Sequence, residues 1–343
     1  MSRFAPKVVK KTKSLETDYK HGFSSPTDSY SFIEKPGLTK KVVANLPDDE
    51  QIILVNGDII FTNDQLCKFI ANQEENCVLV DENKNSLGLA TIVKKDLEKA
   101  LLKAKDVHDV YQNLKTEKIS YKEITKTAED EFWKINYLWN LLDANEVMIE
   151  NIEVKRLGTI EDGVTIIGKV LINEGARVRA GSYLEGPLVI GRNCDVGPNC
   201  YLRKGVSLSK GVRIGNACEL KNTIVYEESH VAHLSYVGDS IIGYYCNLGA
   251  GTITGNLRLD DKAVKAKTTK VVSTGRRKIG VIMGDYVKTA INTFFMPGVI
   301  IGNNTGIGTG VIVSRNIDSN KFVNVEQKLA ITEWTVEPKK KKR

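Results

Sequence analysis

No apolar run in the 343-residue chain reaches the roughly 18–20 residues that a transmembrane helix requires. The N-terminal stretch MSRFAPKVVKKTKS is basic and lacks the apolar segment of a secretory signal. CxxC spacing is absent from the six cysteines (Cys67, Cys77, Cys194, Cys200, Cys218, Cys246), which argues against a zinc site. Together these absences lead us to expect a soluble cytoplasmic protein with free thiols in a reducing compartment and no membrane partner. Surplus charge is scarce as well. The net charge is +7, but the terminal KKKKR carries five of those charges, leaving +2 for the rest. A near-neutral body with a basic end does not describe a nucleic-acid-binding protein. The PKKKKR tail reads as a solvated end, with localisation or polyanion binding as the functional alternative. What the chain does have is length and 41% hydrophobic residues, enough for two domains with separate cores.

The second half is organised by a repeat. An aliphatic residue recurs at every sixth position: Ile160, Ile166, Ile172, Val178, Leu184, Ile190, Val196, Leu202, Leu208, Ile214 and Leu220, with Tyr226 closing the series. Small residues follow it at Gly191, Gly197, Ser209 and Gly215. Ile242 and Leu248 begin a second block, and Met283, Thr289, Phe295, Ile301, Ile307 and Val313 form a third. A period of six fits neither a helix nor a freely alternating strand. It fits short strands and tight turns, three to a triangular coil of about 18 residues, with the aliphatic residue inside. Each coil buries its apolar face only against its neighbours, so several are needed. This is the hexapeptide pattern of the left-handed parallel β-helix. The register slips between Tyr226 and Ile242, and again between Leu248 and Met283. Both slips read as loops. The second holds the basic stretch GNLRLDDKAVKAKTTKVVSTGRRKIG.

The first slip carries HLSYVGDSIIGYYCNLGAGTITGN, from His233 to Asn256. This resembles the acetyltransferase domain of the bifunctional N-acetylglucosamine-1-phosphate uridylyltransferase family, in its signature H-L-[ST]-Y-x-G-D followed by N-[IL]-G-A-G-T-I-T-x-N. The stretch STGRRKIGVIMGDYVKTAIN is similar to the archaeal sugar-1-phosphate nucleotidylyltransferase/acetyltransferase branch. The resemblance covers 150–318. It implies an acetyl-CoA-dependent N-acetyltransferase acting on a hexosamine-1-phosphate in UDP-N-acetylhexosamine biosynthesis, and a homotrimer with active sites between subunits. Glucosamine-1-phosphate is the leading substrate and galactosamine-1-phosphate the second. His233 matches the general base, a task suited to imidazole. Asn247 and Asn256 match residues that hold the amino sugar and the thioester region. Arg203, Lys221, Tyr236 and Lys278 match the sugar-phosphate ligands, with Lys262 a competitor for the last. Ala250 and Gly251 are expected to offer backbone N–H groups to the thioester carbonyl. Ile291 and Thr309 stand where the family has small acetyl-CoA contacts. Cys246, beside Asn247, has no base placed for it and is not read as a nucleophile.

Residues 1–150 alternate strand and helix and indicate an α/β domain. IILVNGDIIF reads as a buried strand ending at Asp58. LCKFIANQ reads as helix, CVLVDEN as strand, LGLATIVKKDLEKALLKA as strand then helix, and 132–152 as a helix leading into the solenoid. VNGDIIF and INYLWNLLDAN resemble the second half of a sugar-phosphate nucleotidylyltransferase domain, in which Asp58 and Asn136 would be the Mg²⁺ positions. The glycine-rich loop G-x-G-[ST]-R that cradles nucleotide phosphates in that family is absent. The reading is therefore a degenerate, structural nucleotidyltransferase-like domain (1–150), an acetyltransferase β-helix (151–325) and a C-terminal segment (326–343). A bifunctional enzyme and a non-catalytic β-helix assembly subunit are the competing readings.

Overall fold

The computed structural model describes residues 7–12, 29–33, 48–49, 51–55, 59–61, 63–71, 75–102, 107–127 and 132–334. Asp58 and the PKKKKR tail lie outside them. The chain divides into two compact units between Ala144 and Asn145. Among the described residues no helix is long and apolar enough to cross a membrane.

In the first unit, strands β1 (Lys7–Thr12), β2 (Ser29–Ile33), β3 (Gln51–Val55), β5 (Cys77–Val80), β6 (Ser86–Val93) and β7 (Lys122–Thr125) form one sheet in the order β2-β1-β3-β6-β5-β7. Neighbours are antiparallel except β5 and β7. Strand alternation sends Ile52 and Leu54 to one face and Ile53 and Val55 to the other. The first face packs on helices α2 (Lys94–Leu102) and α3 (Val107–Thr116), through Leu97, Leu101 and Leu114. The second packs on α1 (Asn63–Ala71), through Leu66 and Phe69. Burial on both faces explains why IILV is continuously apolar.

The expected helix over 132–152 is only partly found. Residues Phe132–Lys134 are strand β8, antiparallel to β4 (Ile59–Phe61), and helix α4 runs over Asn140–Glu150. Phe-Trp-Lys carries strand propensity, and the pairing partner lies some 70 residues away in sequence, beyond what a local pattern registers.

From Thr159 on, the chain is a parallel β-helix, of the left-handed type the hexads implied. Each coil visits three faces in turn. Face I begins with Thr159–Ile160, face II with Thr165–Ile167 and face III with Val170–Ile172. Val178, Val196, Ile214, Val231 and Leu248 stack inside face I and are fully buried. Each such side chain contributes roughly 1.5–3 kcal/mol over its exposed state. The backbone comes so close at the turns that a Cβ on Gly215 would lie 1.8 Å from the Ala232 carbonyl oxygen.

The first register slip is not a loop. Leu208 pairs with Val225, and Val225 with Ile242, while Tyr226 sits half-buried outside. Val231 and Val237 keep the interior ladder running between them. Two successive coils are each shortened by one residue at the corner between faces II and III, between Leu220 and Val225 and again between Val237 and Ile242. Glu219 pairs with Tyr236 seventeen residues on, where Tyr201 pairs with Glu219 at eighteen. Counting in sixes from Leu220 therefore lands on Tyr226, one residue late. The second slip is a true insertion. It leaves the same II/III corner after Ile253–Thr254, forms the hairpin Lys265–Lys267 with Val271–Ser273, and rejoins at Ile282–Met283.

Four of the six cysteines, Cys194, Cys200, Cys218 and Cys246, are buried in this interior. None of the six is in a disulfide, and only Cys67 is exposed. Burial pushes the Cys194 and Cys246 thiols up to about 11 and Cys200 to about 12. An excess of Ellman's reagent at pH 8 should therefore titrate one thiol rapidly in the native protein and six after denaturation. Five rapid thiols would show that the coil interior is open. The folded thiols hold protons that unfolded thiols lose near pH 9, so the stability they contribute is lost as pH rises from about 9 towards 11.

Candidate active site

Two constellations arise on the solenoid. The first is a column at the corner between faces I and II. His233 lies one coil from Ala250, which is followed by Ile291 and Thr309 in successive coils. Turn hydrogen bonds fix the order: Gly251 N–H donates to His233 O at 3.2 Å, Asn292 N–H to Ala250 O at 2.8 Å, and Gly310 N–H to Ile291 O at 3.1 Å. At roughly 4.8 Å per strand the column spans about 14 Å. His233, Ile291 and Thr309 are exposed and Ala250 is half-buried. The His233 imidazole makes no hydrogen bond to another described residue. A positive φ of 73° at Gly251 turns the chain there. One expectation needs correction. The Gly251 N–H is already taken by the His233 carbonyl, so of the two amides only that of Ala250 lacks a backbone acceptor among the described residues. The regular turn ladder of the coil consumes the other.

The second constellation covers face II and its exit corner. Arg203 and Lys221 are successive outward residues on this face, one coil apart. Arg203 donates to Glu219 Oε1 at 3.0 Å and lies 5.4 Å from the Tyr201 ring centroid. The Glu219 carboxylate holds the guanidinium firmly charged. Tyr236 stands in the next coil, and burial together with the Asp239 and Glu219 carboxylates raises its phenol. Asn256 Nδ2 donates to Tyr236 Oη at 3.1 Å and to Asp239 Oδ2 at 2.6 Å. Gly238 makes this convergence possible, because a Cβ there would lie 2.5 Å from Tyr236 Oη and 2.7 Å from Asn256 Nδ2.

Lys278 joins this corner through the backbone. It bridges Leu257, and Ile279 N–H donates to Asn256 O at 3.0 Å. Lys262 is exposed on the outgoing arm of the insertion. Asn247 belongs to neither group. It is exposed on face I, in the ladder between His230 and Lys288. Asn136 is exposed in a bend before α4.

Four residues of the II/III corner were assigned no role from sequence. Asp239, only 3% exposed, accepts from Asn256 and from Asn222 Nδ2 at 3.0 Å, and faces Lys221 Nζ at 3.4 Å. Asn222 also donates to Glu146 Oε1 at 2.8 Å, and Arg276 pairs with the same carboxylate. A groove of about 510 Å³ opens beside them, lined by Lys204, Lys221, Asn222, Glu146 and Glu150 among others. Asp239 ends the H-L-S-Y-V-G-D run, so its motif position was the available signal. The partners from α4 and from the insertion had none.

Residues 184–294 match the GMPPB C-terminal domain family. A bifunctional protein GlmU from Methanocaldococcus jannaschii is 36% identical over 307 residues, covering 80% of this chain and 75% of that protein. A bifunctional sugar-1-phosphate nucleotidylyltransferase/acetyltransferase from Sulfurisphaera tokodaii is 34% identical over 313 residues, covering 81% and 78%. A GlmU from Methanococcus vannielii reaches 43% over 203 residues, covering 58% and 49%. On likeness of this extent, spanning both units, the chain belongs to the GlmU-like family of bifunctional sugar-1-phosphate nucleotidylyltransferase/acetyltransferases.

Proposed function

We propose that the protein transfers the acetyl group of acetyl-CoA directly to the amine of a hexosamine-1-phosphate, with glucosamine-1-phosphate first and galactosamine-1-phosphate second among the acceptors. The observation that carries this is the corner column, in which an exposed His233 with an uncommitted imidazole is followed by Ala250, Ile291 and Thr309, next to a face bearing Arg203, Lys221, Tyr236 and Asn256. The column suits the thioester arm. Ala250 is small, Ile291 is apolar and 52% exposed, and Thr309 adds a methyl group and a hydroxyl. Acetyl-CoA supplies an activated acyl carbon with a thiolate leaving group. As the sugar nitrogen bonds to that carbon and the C–S bond breaks, His233 accepts the proton the nitrogen releases. The Ala250 N–H is the backbone donor for the oxygen on which charge develops. Lys221 and Arg203 supply positive charge for the phosphate, Arg203 by exchanging its bond to Glu219. Asn256 and Tyr236 hold the sugar, Lys278 approaches it from the foot of the insertion, and Asn247 borders the column from face I.

Three further elements complete the reading. The working unit is a homotrimer, with each column covered by a neighbour, in the cytoplasm. The first unit is read as structural, and Asp58 and Asn136 would bind Mg²⁺ only if it also carries nucleotidyl chemistry. A thiol-release assay tests the central claim. Acetyl-CoA with glucosamine-1-phosphate or galactosamine-1-phosphate should liberate CoA, whereas hexosamines without phosphate should react at least tenfold more slowly. Equal rates with and without phosphate would overturn the acceptor assignment. Pyrophosphate release from UTP plus the sugar phosphate would restore the bifunctional alternative.

A further inference from the structure

Among the site's polar groups one contact decides a polarity. An Asn side chain presents a donor at one end and an acceptor at the other, and its orientation is fixed by what each end meets. Both contacts of Asn256 engage Nδ2, one to the Asp239 carboxylate and one to Tyr236 Oη. Oδ1 makes no hydrogen bond to any described residue, and the side chain is half-buried on the corner beside face II. Tyr236 Oη, having accepted from Asn256, keeps its own hydrogen to donate. Asp239 cannot rotate away from this task. It is 3% exposed, its second oxygen is held by Asn222, and its backbone sits at φ 48° in line with Asn222 at 46° one coil earlier. The same carboxylate also faces Lys221 Nζ. One buried anion therefore restrains a cation, sets an amide and anchors two coils at once.

We infer that Asp239 is a positioning residue that turns the Oδ1 acceptor of Asn256 towards the substrate, so that the site selects a sugar bearing an N–H or O–H donor at that point. This rests on the acetyltransferase reading, since it names the polarity of that same site. A carboxylate can only accept, so it forces the amide nitrogen towards itself. With an amide at position 239 that constraint disappears, and the Asn256 side chain is free to reverse. The substrate donor then meets an NH₂ group, and a buried polar contact is lost, which weakens binding by roughly ten- to hundredfold.

The test uses the full-length protein, first shown to release CoA in the presence of glucosamine-1-phosphate. Failure of wild-type turnover would strike the acetyltransferase reading and not the polarity argument. With turnover in hand, Asp239→Asn should raise KM for the sugar phosphate at least tenfold while KM for acetyl-CoA changes less than twofold. The exchange variant Asp239→Asn with Asn256→Asp places a carboxylate at 256 facing an amide donor at 239, and leaves an acceptor towards the substrate. It should recover most of the lost sugar affinity. Equal weakening for both substrates, or no recovery in the exchange variant, would overturn the inference and leave Asp239 a purely structural staple. If Asp239→Asn does not fold, the exchange variant still decides. A wild-type-like KM supports the inference, and a tenfold rise in sugar KM refutes it.

Discussion

Replacing His233 with alanine should leave the fold intact and lower acetyl transfer by roughly two to four orders of magnitude, the usual worth of a positioned general base. The fold should tolerate the change because the imidazole is exposed and makes no hydrogen bond to a described residue. What holds the corner together is backbone, with the His233 carbonyl accepting from Gly251 N–H and from Ser235 Oγ at 2.7 Å, and an alanine keeps both. The measurement is kcat with saturating acetyl-CoA and glucosamine-1-phosphate, beside a melting curve. An unchanged curve with kcat reduced at least a hundredfold is the expected pair of results. A variant with more than a tenth of wild-type turnover would mean that another group, or solvent, removes the amine proton. His230→Ala is the matched control. His230 is on face I, in the ladder with Asn247, outside the column, and its loss should change kcat less than threefold.

The second large effect concerns the scaffold. Phe295 is 1% exposed and is among the largest fully buried side chains. It stacks between Thr254 in the preceding coil and Val313 in the next, just past the insertion. Truncation to alanine leaves a cavity that the stacked backbone cannot close, at a cost of about 3–5 kcal/mol. A solenoid distributes stability between neighbouring coils, so the loss should appear as earlier opening of the coils from Ile282 onward. Hydrogen exchange resolves this by segment, which suits a two-unit protein whose unfolding need not be two-state. Phe294, 38% exposed on the outer face, is the control, expected within about 0.5 kcal/mol of wild type. If Phe294→Ala and Phe295→Ala destabilise equally, the inside–outside register of this strand is wrong.

Much of this architecture is visible in the chain because a period of six repeats locally and each hexad answers only to its neighbours. Ile160 to Leu220 could be placed inside the coil from spacing alone. The count failed at Tyr226 because one corner residue is missing between Leu220 and Val225, and a deletion of one shifts every later inside position. Strand β8 was misread for another reason: Phe132–Lys134 pairs with Ile59–Phe61, so its state is set by a distant partner. The site divides in the same manner. His233, Asn247 and Asn256 stand in one contiguous signature, so the sequence names them together, while the structure sets Asn247 apart on face I. The joining of Asp239 to Asn222, and of both Asn222 and Arg276 to Glu146, was not, since those residues come from three separate segments.

The sequence by itself pointed to a β-helix over 151–325, to its interior residues from Ile160 to Leu220, and to an imidazole and two amides near the register break. Those properties follow from side-chain chemistry at fixed spacing. Only the tertiary structure decided that the break is a pair of shortened corners, that His233 heads a column while Asn256 belongs to the next corner, and that one buried carboxylate sets the direction of the Asn256 amide. Hydrogen bonds across coils, seventeen and more residues apart, govern those choices.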